Sequence, residues 1–233
     1  MGGVEDFRKA LVKYGHFFKH MKLDRSLVLA VEEAQQEVMR EAYKEVDVGE
    51  DLSENIKRLS REGLIDSWAR RMAEAIGEEP RSVDVWEALS GDLDKPGVRP
   101  MLLALQAVAR AYADKLLERG VGYEPSARCP VCGLESRTMV KRGRFYNMIC
   151  HFCGYEWRVS DKIVCPYCGS RDPVSIGVFS DKARRVALAR CQDCGSTWRI
   201  IMDEAITAPR ILLPLIALKA EAYRSVLEGT GNA

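Results

Sequence analysis

Eight cysteines are the residues of this sequence whose type and spacing indicate chemistry. They occur as four Cys-x-x-Cys pairs, each followed directly by glycine. Two thiolates separated by two residues can bind one metal ion if the backbone turns tightly, and glycine favours the positive φ of such a turn. Two pairs complete a tetrahedral four-sulfur site, which suits zinc and rubredoxin-type iron. We therefore predict eight metal ligands: Cys129, Cys132, Cys150, Cys153, Cys165, Cys168, Cys191 and Cys194.

The cysteine segment is an internal repeat of two units. A CPxCG turn at Cys129–Gly133 recurs 36 residues later, and a CxxCGxxWR turn at Cys150–Arg158 recurs 41 residues later. Each repeat carries a complete set of four thiols, which favours sequential pairing with one ion per repeat. The alternative is interleaving, in which both repeats supply ligands to each ion. Closed four-ligand sites leave no open position for catalysis, so the metal has a purely structural role in the simplest interpretation.

Other candidate residues have simpler interpretations. His16 and His20 are four residues apart, but no third ligand accompanies them, and we interpret them as a helix surface. His151 and Asp193 lie between paired cysteines and are expected to be solvated. No Ser-His-Asp arrangement, phosphate-binding loop or nucleotide motif occurs, so an enzyme is not predicted. Five aromatic residues near the cysteines are interpreted as small-core packing rather than base-stacking platforms: Phe152, Tyr155, Trp157, Tyr167 and Trp198.

Charge and hydropathy exclude several classes of protein. The 233 residues include 35 Lys+Arg and 34 Asp+Glu, for a net charge of +1, which argues against a protein that coats nucleic acid. Residues 128–200 alone carry a net +7, but eight thiolates with two divalent ions reduce this to about +3, a weak field for nucleic acid. The longest apolar run, residues 211–218, is shorter than the roughly 20 residues of a membrane span. Without a signal-peptide core, the sequence predicts a cytoplasmic protein.

The pattern of elements predicts an α+β fold. Helical periodicity runs through the first half, with Asp24 or Ser26 as an N-cap and one long helix over residues 53–76. Short β-prone stretches lie between the cysteine turns, and a last helix is predicted over residues 209–227. The expected domains are a helical domain, residues 1–122; a first rubredoxin-like ribbon, residues 123–162; a second ribbon, residues 163–204; and a C-terminal helix, residues 205–233, packing back on the helical domain.

The order of these motifs resembles the formate dehydrogenase accessory protein family (FdhE). The resemblance covers residues 128–225 and rests on the tandem rubredoxin-like units, the Glu156–Trp157 pair and the Glu221–Arg224 end of the final helix. It implies a cytoplasmic maturation protein, not an enzyme, for a molybdenum- or tungsten-dependent formate dehydrogenase. The implied partner is the catalytic subunit of that enzyme or of a related oxidoreductase, and the implied metal is iron, with zinc as the common alternative for such sites.

The residues alone are also consistent with two other functions. A zinc-ribbon protein that binds nucleic acid, or acts in transcription, would use the same cysteine turns and the basic segment. An electron carrier would need reversible iron redox chemistry.

Overall fold

The computed structural model describes residues 4–14, 16, 24–89, 92–180, 183 and 185–224. The residues group into two compact units, Met1–Arg8 with Lys22–Arg119 and Lys9–Met21 with Gly120–Ala233. Helices precede a six-stranded sheet along the chain, which confirms the predicted α+β class. Across the described ranges, every helix is too short or too polar to cross a bilayer.

The first half of the chain is helical, with one break that the sequence pattern does not predict. Asp24 caps the second helix by accepting hydrogen bonds from the N–H groups of Ser26 and Leu27. The single helix predicted over residues 53–76 is wrong, because Gly63 adopts a φ of 72° and separates two helices. The described helices are α1 Val4–Lys13, α2 Arg25–Glu45, α3 Leu52–Arg61, α4 Leu64–Ile76, α5 Val85–Leu89 and α6 Val98–Glu118.

An apolar core forms where α2, α4 and α6 pack together. Trp68, with 1% of its surface exposed, is its largest side chain. A buried polar network crosses the same core: the Arg110 guanidinium donates to the Glu32 carboxylate at 2.8 Å and to the Gln35 side-chain oxygen at 2.8 Å. Removal of either charge would leave the other buried without its partner. The helical unit is therefore held by its own contacts.

The two cysteine repeats form one continuous sheet. Each repeat supplies three antiparallel strands, and β1 of the first pairs in parallel with β6 of the second. The sequence predicts two separate ribbons; the structure merges them because this pairing satisfies two strand edges that would otherwise stay open. In the order β3-β2-β1-β6-β5-β4, the strands are β1 Thr138–Arg142, β2 Phe145–Ile149, β3 Glu156–Ser160, β4 Ile176–Ser180, β5 Val186–Cys191 and β6 Thr197–Ile201.

The last described segment packs on this sheet. It consists of a 3₁₀ turn, Arg210–Leu212, a short helix α7, Leu213–Ala217, and a second 3₁₀ stretch, Leu218–Tyr223. Its apolar side is buried against β1, β5 and β6. The prediction that this segment packs on the helical domain stays a prediction. A sheet face needs an apolar cover, and this segment supplies one within its own unit. Residues 225–227 of the predicted helix lie outside the described residues.

Candidate metal centre

Four turns of one geometry position the eight thiols. In each turn the glycine N–H donates to the carbonyl of the first cysteine at 2.9–3.1 Å, and the glycine φ lies between 68 and 77°. The N–H of that cysteine donates to the carbonyl of the residue after the glycine, at 2.9 Å in every turn. A side chain at the glycine would strain this backbone. We call these turns knuckles: Cys129–Gly133, Cys150–Gly154, Cys165–Gly169 and Cys191–Gly195.

The thiols lie in two clusters, and each cluster is built by one repeat. Within a cluster the four sulfur atoms are all within 4.8 Å of one another. This is the sequential arrangement of the knuckles rather than the interleaved one. Among the described residues, no His, Asp or Glu joins either group. Cluster 1 consists of Cys129, Cys132, Cys150 and Cys153, and cluster 2 of Cys165, Cys168, Cys191 and Cys194.

The sulfur separations fit tetrahedral metal coordination. Two pairs of sulfur atoms in cluster 1 are 3.5 Å apart, and two pairs in cluster 2 are 3.6 and 3.7 Å apart. A disulfide would bring two sulfurs to about 2.05 Å, and all eight cysteines are free. Four sulfurs about 2.3 Å from one ion stand about 3.8 Å from one another. Each cluster could therefore hold one metal ion with shifts of a few tenths of an ångström.

The surroundings of the thiols perturb their protonation in opposite directions. Burial raises the pKa of Cys165, although the backbone N–H groups of Cys168 and Tyr167 donate to its sulfur and act against this shift. Partial burial also opposes ionisation of Cys194, but hydrogen bonds with Ser196 and with neighbouring thiols lower its pKa to about 7. Because metal ligands must be thiolates, a thiol with such a pKa is prepared to bind near neutral pH.

The clusters differ in their exposure to solvent. In cluster 1 three cysteines are buried, and the fourth, Cys132, is partly exposed. In cluster 2 the first cysteine of each knuckle is fully buried, whereas the second ones, Cys168 and Cys194, are exposed. A ligand from solvent therefore reaches cluster 2 more easily than cluster 1.

Three of the five aromatic residues predicted to pack in a small core are buried, whereas Phe152 and Tyr167 are partly exposed. Trp157 and Trp198 are fully buried, and the indole N–H of Trp157 donates to the Ser126 carbonyl at 2.9 Å. Tyr155 is 7% exposed and stacks on Trp157 with ring centroids 6.4 Å apart. Burial raises the pKa of Tyr155, and the charges of Cys129 and Cys153 act in the same direction.

The remaining predicted candidates do not belong to the ligand set of either cluster. His151 and Asp193 are exposed, in accordance with their interpretation as solvated residues. His16 is also exposed, whereas His20 lies outside the described residues. None of the three described side chains contributes to a group that could bind metal.

Sequence reasoning missed the residues that connect the repeats to their surroundings. Arg199, the arginine of the second CxxCGxxWR turn, donates to the Glu221 carboxylate at 2.6 Å and so fixes the C-terminal segment on the sheet. Tyr167 contacts the first repeat through its hydroxyl. A comparison of the repeats would have flagged Tyr167, because the equivalent position in the first CPxCG turn is Val131.

The fold and the two clusters define a class of protein: a helical unit followed by two four-cysteine ribbons fused in one sheet, with a helical segment packed on that sheet. The chain shares this fold with the FdhE protein from Pseudomonas aeruginosa. The match to that crystal structure has a TM-score of 0.56 and covers 98% of this chain and 93% of that chain. The sequences are 15% identical. The FdhE-like fold that the motifs predict is therefore confirmed.

No protein-family model and no curated protein sequence matches the chain.

Proposed function

We propose that this chain is a formate dehydrogenase accessory protein. It acts in the cytoplasm, where it assists the assembly or activation of a molybdenum- or tungsten-dependent formate dehydrogenase, and it is not itself an enzyme. The observation that carries the proposal is the combination of two four-cysteine clusters in one sheet with an FdhE-like fold over nearly the full length of both chains.

Two metal ions are part of the proposal, one held by the four thiolates of each cluster. The geometry suits both rubredoxin-type iron, which the FdhE resemblance implies, and zinc. Bound iron would supply a one-electron couple, whereas zinc has no redox chemistry and would fold the loops. The residues of the chain hold the sulfurs in place through the knuckle hydrogen bonds, which are formed by the backbone in all four turns.

The proposed partner is the catalytic subunit of formate dehydrogenase or of a related molybdenum or tungsten oxidoreductase. The surface proposed to contact it includes the ribbons, since they carry both clusters. The domain organisation predicted above, with a helical part and a cysteine-rich part, gives the maturation protein one part that binds metal and another that folds around its own apolar core.

Nucleic acid is a weaker candidate, because several basic side chains of the ribbons are engaged within the protein. Arg142 pairs with Glu156 at 3.2 Å, and Arg199 pairs with Glu221 at 2.6 Å. The guanidinium of Arg158 lies 3.7 Å from the centroid of the Phe145 ring. Paired and stacked cations contribute less to phosphate binding than free ones.

The decisive experiment is deletion of the gene in the native host. We expect formate dehydrogenase activity to fall while the abundance of its catalytic subunit changes less, and we expect a tagged copy of this chain to recover that subunit. Complementation with Cys129→Ser or Cys165→Ser should restore less activity than the matched control His151→Ala, which alters an exposed knuckle residue outside the ligand sets. Normal activity in the deletion strain, with no such subunit recovered, would end the proposal. Binding to nucleic acid that weakens steeply with salt would then favour the other function.

A further inference from the structure

Three features pack around the Cys150–Gly154 knuckle of cluster 1 and the strand that follows it. Tyr155 directly follows the Cys150–Gly154 knuckle, is 7% exposed and stacks on Trp157. The segment 122–124 runs along the outer edge of β3: the Arg158 N–H donates to the Gly122 carbonyl at 2.8 Å, and the Glu124 N–H donates to the Arg158 carbonyl at 2.9 Å. A Cβ added at Gly154 would lie 4.0 Å from the Cβ of Arg210, so the chain before α7 also approaches this knuckle.

Cluster 2 has no bulky side chain at the position equivalent to Tyr155. Ser196 occupies the position of Tyr155 in the second repeat, 41 residues later. A Cβ added at Gly169 or Gly195 would meet no atom within 4 Å, and the same holds at Gly133 of cluster 1, so the two clusters differ in this respect only at the Cys150–Gly154 knuckle. Both knuckles of cluster 2 present their second cysteine to solvent.

We propose that cluster 2 is an exchangeable metal site open to thiol ligands, whereas cluster 1 is a permanent structural site. The entering thiol reaches the ion from the side of Cys168 and Cys194. This inference deepens the proposed function and rests on its two bound ions. The inference gives the clusters of the two repeats different roles. It attributes the difference to the residue after each second knuckle, which is Tyr155 at cluster 1 and Ser196 at cluster 2.

The exchange is balanced without any oxidant or reductant. One bond between the ion and a cluster 2 cysteine breaks, and one bond between the ion and the entering sulfur forms. The entering thiol loses a proton, and the departing thiolate gains one. The oxidation state of the ion does not change. Cys168 and Cys194 are the ligands that can leave without disturbing the buried first cysteines.

The first test measures zinc release from the full chain loaded with two zinc ions. Dithiothreitol serves as the entering thiol, and a colorimetric zinc indicator reports the released metal. We expect two phases of equal amplitude, one ion per chain each, with rates that differ at least tenfold. A second arm uses a dithiol attached to a bulky polymer. Fast release with both reagents shows that the exposed side of cluster 2 admits a thiol on a macromolecule. Fast release with dithiothreitol alone shows that it admits only small thiols. Both results support exchange at cluster 2.

Alkylation assigns the fast phase to a cluster. Iodoacetamide added during the fast phase should modify Cys168 and Cys194 before any cysteine of cluster 1, as read by mass spectrometry of peptides. Modification of Cys132 and Cys153 at the same rate as the cluster 2 pair would overturn the inference. This readout does not depend on the activity of any client enzyme.

Reciprocal substitutions test the cause of the difference. Tyr155→Ser should accelerate the slow phase about tenfold, whereas Tyr155→Phe, which keeps the ring, should leave it nearly unchanged. Ser196→Tyr should slow the fast phase. Because Ser196 is partly exposed, a larger side chain can be accommodated there, and this variant keeps the test valid even if Tyr155→Ser fails to fold. Two bound ions that leave at one rate would overturn this inference and spare the proposed function. Failure to bind metal at all, in protein supplied with iron or zinc, would overturn both.

Discussion

The Tyr167 hydroxyl donates a hydrogen bond of 3.0 Å to the main-chain carbonyl of Ser136. Tyr167 lies inside a knuckle of cluster 2, whereas Ser136 belongs to the first repeat. The Ser136 hydroxyl in turn donates to the Ile149 carbonyl at 2.5 Å, and Ile149 directly precedes Cys150 of cluster 1. These hydrogen bonds therefore connect a knuckle of cluster 2 with the residue that precedes Cys150 of cluster 1.

A second contact joins the same two repeats. The Ala127 N–H donates to the Pro166 carbonyl at 2.7 Å, and Pro166 is buried, whereas its counterpart Pro130 is exposed. The knuckle at Cys165–Gly169 is thus docked on the first repeat by two consecutive residues. Residues that share one hydrogen-bond network are energetically coupled, so order at cluster 2 should support order at cluster 1.

Replacement of Tyr167 by phenylalanine should weaken this coupling. The change removes the hydroxyl and leaves the Ser136 carbonyl without that donor, which lowers the free energy of unfolding by about 1 kcal/mol. Urea unfolding of the metal-loaded protein, followed by tryptophan fluorescence, measures the loss. Tyr123→Phe is the matched control, because the Tyr123 side chain is 61% exposed. Equal stability of the Tyr167 variant and the wild-type protein would show that the contact carries no coupling.

The cysteine clusters could be predicted from the sequence because their determinants are local. Each knuckle is encoded within five consecutive residues, and the glycine at its end reports the backbone conformation directly. The repeat also predicts which two knuckles share an ion, because each unit contains a complete set of four thiols. The structure brings the thiols together in that arrangement.

The fusion of the ribbons could not be predicted, because it depends on residues far apart in the chain. Thr138 of β1 lies opposite Arg199 of β6. The alternation of apolar and polar residues along either strand does not specify that its neighbour in the sheet belongs to the other repeat. The break between α3 and α4 was missed for a different reason. Helical periodicity continues on both sides of Gly63, and a single glycine within such a pattern is often tolerated in one helix.

Metal analysis should find two ions per chain. The sulfur separations in both clusters fit one tetrahedral ion each. Cys129→Ser and Cys165→Ser should each bind one ion, because a cluster with three thiols binds metal more weakly while the other remains intact. Elemental analysis of protein produced with adequate iron or zinc measures the stoichiometry, and the visible absorption spectrum distinguishes the two metals. Asp193→Asn should keep both ions, since Asp193 is exposed outside the ligand sets. One ion or none in the wild-type protein would contradict the assignment.

The same cysteine variants should retain most of their helical circular dichroism. Folding of a ribbon is coupled to metal binding, whereas the helical unit buries its own side chains, among them Trp68 and Met101. We expect the far-ultraviolet helix signal of Cys129→Ser to stay close to that of the wild-type protein while its ribbon becomes sensitive to protease. Met101→Ala is the opposite control, which should reduce helical stability by about 2–5 kcal/mol and leave the metal content unchanged. Collapse of the helical signal in both cysteine variants would show that the two parts do not fold separately.

The ion pair between Arg199 and Glu221 should make the attachment of the C-terminal segment dependent on pH. Partial burial opposes ionisation of Glu221, but its hydrogen bonds with Arg199 and Arg224 outweigh burial and lower its pKa. The pair therefore stabilises the protein fully above the unfolded-state pKa of about 4.3, and this contribution is lost as the pH falls through the folded-state value.

Glu221→Gln should lower the free energy of unfolding by about 1 kcal/mol near neutral pH, and the difference from wild type should shrink below about pH 4. Chemical unfolding at several pH values measures this difference in stability. Acid protonates the cysteine ligands in both proteins alike, so the difference between them reports the contribution of Glu221 alone. Glu204→Gln, which breaks a half-exposed pair with Lys141 at 3.6 Å, should have almost no effect; an equal loss in both variants would show that Glu221 acts only as another surface charge.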